Sequence, residues 1–194
     1  MHAEKPVPDL PPYSLDVQAM DLGPGVKAVG LELIETESRE PLRGPEAASI
    51  WAAAWLALAA TESFVLDFFS HLDRVRDFCD AHKIPFRESA SRCLVISQPS
   101  LEILRSLLAR FEGETFGLRV GPAAQDEDPA LEKELSHRGL DGYQLAYPRY
   151  TLCAICEPSD GWVTVLSEAL WPSEIIRRVR PALQPFDVYI ARPQ

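Results

Sequence analysis

The sequence is poor in cysteine and in positive charge, and each shortage excludes a class of protein. Four cysteines in 194 residues are too few for a fold built on disulfides, so we expect a reducing, cytoplasmic setting. Lysine and arginine number 19 against 29 aspartates and glutamates, which gives a formal net charge of −10. Because non-specific nucleic-acid binding depends on neutralising phosphates with a basic surface, we expect no nucleic-acid partner.

Long hydrophobic runs are also missing. The most apolar segment, SIWAAAWLALAA, covers only residues 49–60, whereas a transmembrane helix needs about 20 apolar residues. The first residues, MHAEKPVPDLPPYSLDVQAM, lack the apolar centre of a secretory signal. We therefore expect a buried helix at 49–60 and no association with a membrane.

The common catalytic and nucleotide-binding motifs are absent from the sequence. No serine lies in a G-x-S-x-G elbow, and GPGVKAVG at 23–30 lacks the order of a phosphate-binding loop. Asp67 and His71 are four residues apart, a spacing that would orient an imidazole for base catalysis on a helix or form an ordinary exposed pair. We predict no cofactor.

What the sequence does contain is a series of alternating strand and helix patterns. The prolines of residues 1–25 predict an extended N-terminal arm without regular structure. Hydrophobic periodicity then predicts a strand at 26–34, an alanine-rich helix from about Pro45 and a helical stripe over 63–82. Residues 46–82 form either one continuous helix or two. The elements predicted after these are a hairpin (IPFRE and RCLVIS), a helix (PSLEILRSLLARFEG), a strand (TFGLRVG), a short helix (PALEKELSHRG), a strand-like DGYQLAY, a hairpin (YTLCAIC and WVTVLS), a helix (WPSEIIRRVRPAL) and a last strand (FDVYIA).

This order of elements predicts the α+β class. Residues 26–121 spell β-α-β-β-α-β, the order of a ferredoxin-like or split β-α-β unit. Residues 122–194 spell α-β-β-β-α-β, so we predict a second, altered unit packed with the first, each with an antiparallel or mixed sheet covered by helices. CLVIS at 93–97 and VTVLS at 163–167 are 70 residues apart. This match indicates either an internal duplication or a hydrophobic pattern common to all such units.

Cys153 and Cys156 have the C-x-x-C spacing of metal and redox sites. They fall in a predicted strand, where a separation of three points side chains to opposite faces, so we predict buried structural cysteines and no metal. The alternative is a zinc or thiol protein, in which Cys79 and His82 would complete a tetrahedral set. Cys93 is predicted to lie in the core.

Basic and aromatic side chains cluster near the final helix, and we call this group the arginine patch: Trp171, Arg177, Arg178 and Arg180. In an acidic protein these arginines would bind an acidic partner or an anionic ligand, although Glu174 has the spacing to pair with them. Tryptophans at 51 and 55 share one side of their helix and indicate either core packing or a homodimer interface.

The leading hypothesis from the sequence is a cytoplasmic, non-catalytic regulatory or accessory module. It would recognise a protein partner or a small anionic ligand through the arginine patch. The alternative is an enzyme whose pocket is assembled from residues distant in sequence, with carboxylates and His71 or His82 as candidate groups.

Overall fold

A computed structural model describes residues 10–22, 26–89, 92–138, 141–157, 160–168 and 170–191. They form one mixed sheet of nine strands with six α-helices, which confirms the α+β class. The strands are β1 (Tyr13–Asp21), β2 (Lys27–Glu35), β3 (Phe64–Phe68), β4 (Arg87–Glu88), β5 (Leu94–Ser97), β6 (Phe116–Val120), β7 (Leu152–Glu157), β8 (Trp162–Leu166) and β9 (Val188–Ile190). The helices are α1 (Gly44–Ala59), α2 (Leu72–His82), α3 (Leu101–Arg110), α4 (Pro129–Arg138), α5 (Asp141–Ala146) and α6 (Pro172–Leu183). No helix of these ranges is both long and apolar enough to cross a bilayer.

The strand order is β4-β5-β3-β6-β7-β8-β2-β1-β9. All neighbouring strands are antiparallel except β1 and β9, which are parallel. Two parallel crossovers therefore exist, β5-α3-β6 and β8-α6-β9. Their first strands, β5 and β8, overlap the matching sequences CLVIS and VTVLS. In the sheet, one strand, β3, lies between β5 and β6, whereas two strands, β2 and β1, lie between β8 and β9. The two crossovers consequently differ in topology.

The N-terminal strands lie in the C-terminal half of the sheet. Every residue of Tyr13–Asp21 pairs with β2, and β2 pairs with β8. The predicted arm is thus wrong for this stretch, because Leu15 and Val17 alternate into the core once the prolines end at Pro12. Residues 1–9 and 23–25 lie outside the described part. The predicted boundaries at residues 25 and 121 do not divide the sheet.

Two elements differ from their predicted type of secondary structure. Phe64–Phe68 is a strand, not the start of a helix, and it is buried on both faces. The sequence of a strand buried on both faces does not alternate between polar and apolar residues. Its apolar run therefore cannot be distinguished from a buried helix by periodicity. DGYQLAY was predicted as a strand, but Asp141–Ala146 forms α5. Its Tyr143 is buried and bonded to a residue of β3, a tertiary contact that outweighs local strand preference.

The larger core lies between one face of the sheet and α1, α2, α3 and α6. Trp51 and Trp55 are 2% and 1% exposed, and Trp55 makes an edge-to-face contact with Phe116 at 5.3 Å between ring centroids. Both indoles therefore pack in the core, which is one of the two interpretations given above. They present no ring surface to a second copy.

The smaller core lies on the opposite face, under α4 and α5. Its apolar side chains alternate along the central strands with those of the larger core, so β3, β5, β6 and β7 are covered on both sides. Gly117 allows the closest approach, because Tyr143 of α5 lies directly over this residue of β6. The second layer thus rests on the middle of the sheet.

Replacing Gly117 tests this packing. A Cβ there would lie 1.9 Å from the Tyr143 hydroxyl oxygen, and Tyr143 is fully buried, so the ring has no space to move into. We expect Gly117→Ala to reduce the free energy of unfolding by about 1–3 kcal/mol, measured by urea titration. Gly113→Ala, where nothing lies within 4 Å of the added carbon, should change it by less than about 0.5 kcal/mol. Equal stability of the two variants would contradict the placement of α5.

Candidate functional site

Asp67 of β3 and Arg119 of β6 form an ion pair in the centre of the sheet. Both side chains are 0% exposed. Arg119 donates from Nε to Oδ2 at 2.7 Å and from Nη2 to Oδ1 at 2.8 Å, so the contact is bidentate. Burial opposes the charge on Arg119, but the adjacent carboxylate holds the pKa of the guanidinium above its usual value. The guanidinium therefore stays charged, and the pair is inaccessible to solvent.

Two tyrosines and a second aspartate extend this pair to the covering helices. The Tyr143 hydroxyl donates to Asp67 Oδ2 at 2.6 Å, and Arg119 Nη1 donates to the Tyr150 oxygen at 3.3 Å. Tyr150 in turn donates to Asp128 Oδ2 at 2.9 Å, just before α4 begins. We call these five residues the buried polar network. It links the second helical layer to the sheet by hydrogen bonds.

The pKa values in the network follow from burial and from its hydrogen bonds. Burial raises the pKa of Tyr143 well above the usual value and that of Tyr150 to about 12. Burial also acts to raise the pKa of Asp128, but donors from the Leu131 amide, Tyr150 and Arg149 hold it below its usual value. At neutral pH both phenols are therefore neutral hydrogen-bond donors, and Asp128 is an ionised acceptor.

The Asp67 and His71 pair suggested by their spacing does not form. Asp67 lies on β3, whereas His71 precedes α2, is exposed, and places Nε2 3.2 Å from Glu114 Oε2. The predicted helix that would have aligned them is interrupted between the two residues. The carboxylate is occupied by Arg119 and Tyr143 and is not available to a substrate.

The four cysteines are buried and free. Cys156 belongs to the larger core and Cys153 to the smaller one, so the predicted placement on opposite faces of a strand is confirmed. Burial raises the pKa of Cys79 to about 11 and those of Cys93, Cys153 and Cys156 above the usual value. Within the described residues no group of three or more His, Cys, Asp or Glu could hold a metal ion. The geometry opposes the zinc or thiol alternative.

The arginine patch is largely paired internally. Arg177 donates to Glu174 at 2.7 and 2.8 Å, and Arg178 donates to Glu174 at 3.2 Å and to the Leu58 carbonyl at 3.0 Å. The hydrogen bonds from these arginines lower the pKa of Glu174 to about 2. Arg180 is exposed near the other end of α6, about 13 Å along the helix axis from Trp171. The four predicted residues thus do not converge on one site.

Six basic side chains line a cleft at a different place. The cleft has a volume of about 1110 Å³ and lies between the start of α2, the β4–β5 connection and α4. We call it the basic cleft and define it by its cationic and histidine side chains: His71, Arg74, Arg76, Arg92, Lys133 and His137. Two carboxylates, those of Asp73 and Glu88, also line it.

Some of the arginine and lysine side chains of the basic cleft form ion pairs and others do not. Arg74 contacts Glu114 at 2.6 Å, and Arg76 contacts Asp73 at 2.6 Å and Glu88 at 2.8 Å. In the part of the chain that the structure describes, Arg92 and Lys133 have no ion-pair partner and are exposed. Positive charge therefore remains uncompensated in this cleft of an acidic protein. Its residues come from separate segments with ordinary charge, so no local pattern in the sequence indicates the cleft.

Comparison with protein-family models, with curated protein sequences and with solved structures finds no match. The geometry of the chain is thus the basis for any statement about its function.

The ion pair can be tested by removing one partner or both. Asp67→Leu leaves a buried guanidinium uncompensated, and Arg119→Met leaves a buried carboxylate, so each should lower the free energy of unfolding by about 3–5 kcal/mol. The double variant removes both charges, and we expect it to recover much of the loss in a double-mutant cycle measured by denaturant unfolding. Arg39→Met, which removes an exposed pair with Asp16, should change stability little. Additive losses in the double variant would contradict a coupled buried pair.

Thiol reactivity tests the assignment of the cysteines. Buried thiols with raised pKa values are poor nucleophiles, so an aromatic disulfide reagent should label none of them rapidly in the native protein. In denaturant it should label all 4. Ser136→Cys adds an exposed thiol and serves as the positive control. A native cysteine that reacts as fast as this control would restore the thiol alternative.

Proposed function

We propose that the protein is a cytoplasmic, non-catalytic binding module that recognises a small anionic ligand of the phosphate type in the basic cleft. The observation that carries the proposal is the presence of two unpaired cations, Arg92 and Lys133, in a cleft of a chain with net charge −10. A ligand oxyanion would compensate both. Charge-assisted hydrogen bonds of this kind are stronger than neutral ones.

The surroundings of the cleft support an anion over a cation. The acidic surface repels anions in general, so a local excess of positive charge concentrates them at this one place. The first turn of α2, at Leu72 and Asp73, forms part of the lining, and the positive end of a helix dipole adds to the attraction. Glu114 and Glu88 hold Arg74 and Arg76 in fixed positions at the rim.

A binding role is favoured over catalysis by the state of the reactive groups. In the cleft, the Ser136 hydroxyl donates to the Lys133 carbonyl at 2.8 Å, and the Nδ1 atom of His137 lies 2.8 Å from the same oxygen. The Ser136 hydroxyl also lies 3.2 Å from His137 Nδ1, but an Nδ1 atom that contacts a carbonyl oxygen carries the proton and cannot accept one from the hydroxyl. The enzyme alternative would need reacting groups elsewhere in the cleft.

A protein partner at Trp171 is the second candidate. This indole is 50% exposed, and the Lys27 ammonium lies 4.6 Å from its ring centroid. Tryptophan is enriched at protein interfaces and among their hot spots. The arginines of the patch contribute less to this candidate because Glu174 already pairs with two of them.

We also propose a ferredoxin-like unit with narrower bounds than the predicted 26–121, because β3 adds a strand between α1 and α2 and changes the order of elements over that range. Residues 64–120 follow the chain order β-α-β-β-α-β, which supports a ferredoxin-like unit in this part of the sheet. The remaining strands have a different arrangement around α6. A second equivalent unit, and the internal duplication it would imply, rest on the sequence match alone.

Charge reversal at two surfaces tests the proposed function. We expect inorganic pyrophosphate to bind the wild type, and Arg92→Glu/Lys133→Glu to weaken binding at least about tenfold, because losing charged hydrogen bonds costs about 1.5–3 kcal/mol each. Arg177→Glu/Arg180→Glu makes the same charge change on the arginine patch and should bind as the wild type does. Binding is measured by calorimetry and by amide chemical-shift changes.

Three results would contradict the proposal. Two of them are a wild type that does not bind pyrophosphate and a cleft variant that binds it as the wild type does. If only the Arg177→Glu/Arg180→Glu variant lost binding, the anion site would lie on the arginine patch instead.

A further inference from the structure

The two edges of the sheet differ in how they are protected. β4, at one edge, has two residues, and both are charged and paired: Arg87 contacts Glu132 at 2.6 Å and Glu88 contacts Arg76 at 2.8 Å. Charged and very short edge strands prevent pairing with another chain. β9, at the other edge of the described sheet, consists of Val188, Tyr189 and Ile190 and carries no charge.

Among the described residues, no strand pairs with the outer side of β9, so its backbone has hydrogen-bonding groups there without a partner strand. The Ala191 amide donates to the Leu15 carbonyl of β1 at 3.1 Å. Peptide groups of successive residues in a strand point to alternate sides, so those of Tyr189 also face β1. The amide and carbonyl groups of Val188 and Ile190 therefore point away from the sheet. They can accept a further strand.

The side chains around this edge suit a second copy of the chain. Tyr189 is 54% exposed. A concavity of about 600 Å³ at the edge is lined by Pro11, Arg180, Pro181 and Asp187, among others. In the described part of the chain neither Arg180 nor Asp187 has an ion-pair partner. A surface with one cation and one anion is self-complementary under a two-fold axis, which brings unlike charges of the two copies together.

We propose that two copies of the chain associate through their β9 strands, antiparallel about a two-fold axis, with Tyr189 opposite the partner's Tyr189. The free peptide groups determine this register. Val188 and the partner's Ile190 form a hydrogen-bonded pair, and Tyr189 lies at the intervening non-hydrogen-bonded pair, where Cα atoms approach to about 4.5 Å. The two tyrosines then form a cross-strand aromatic contact. This interface lies at the opposite edge of the sheet from β4 and the basic cleft, so the two proposals are independent.

Disulfide trapping tests the register. We expect Tyr189→Cys to form a cross-linked dimer under mild oxidation, because its Cα separation falls within the range of a disulfide. Val188→Cys is the matched control, since residues 188 of the two copies would be about 8 Å apart, two residues out of register. It should cross-link at least about tenfold more slowly. The native cysteines are all buried and do not interfere.

Sedimentation velocity tests the association itself. The wild type should show a concentration-dependent dimer, and Tyr189→Asp should remain monomeric because two carboxylates would face each other at the axis. Leu101→Asp, at another exposed apolar residue, 45% exposed, should dimerise as the wild type does.

Four results would overturn the proposal. One is a wild type that stays monomeric and in which the amide hydrogens of Val188 and Ile190 exchange rapidly with solvent. A monomer in which those amides are protected would mean that a segment of the same chain occupies the edge. A dimer that survives Tyr189→Asp would place the interface elsewhere, and faster trapping at residue 188 would overturn the register.

Discussion

The buried ion pair between Asp67 and Arg119 is the constraint on which much of the remaining structure depends. Removing two charges from water is costly, and the cost is offset only when every lone pair and N–H of the pair is satisfied. Neighbouring tyrosines add to the hydrogen bonds within the pair: Tyr143 reaches Asp67 from α5, and Tyr150 links Arg119 to Asp128. The second helical layer and the absence of a side chain at Gly117 follow from this requirement. The layer thus completes the solvation of a charge pair as well as burying apolar surface.

Interior and surface charges consequently have separate roles. Interior charges are matched within the fold, and several exposed arginines are paired as well, including Arg177 and Arg178 with Glu174. Against that background, the uncompensated positive charge of the basic cleft and the uncharged edge at β9 are the features that the fold itself does not use. They lie at opposite ends of the sheet. A ligand site and a self-association site can therefore exist on one small protein without overlap.

The sequence predicted the elements whose patterns are local. The amphipathic stripes of α3 and α6 and the β7–β8 hairpin were confirmed, and the alternation of β7 correctly separated Cys153 from Cys156. The sequence did not predict β3, because a strand buried on both faces has no characteristic alternation of polar and apolar residues. The partner of Asp67 lies 52 residues away, and the basic cleft combines three separate segments. No local pattern reports contacts of this kind.

The parallel pairing of β1 with β9 brings together residues that are far apart in the sequence, as in the pair Tyr13 and Val188. The ribosome makes the β1–β2 hairpin before both of its neighbours in the sheet, β8 and β9. Until those two strands are made, the hairpin lacks a neighbour on either side, and an isolated hairpin is marginally stable at best. Contacts this distant in sequence also slow folding. The sheet can therefore close around the hairpin only after synthesis has passed residue 190.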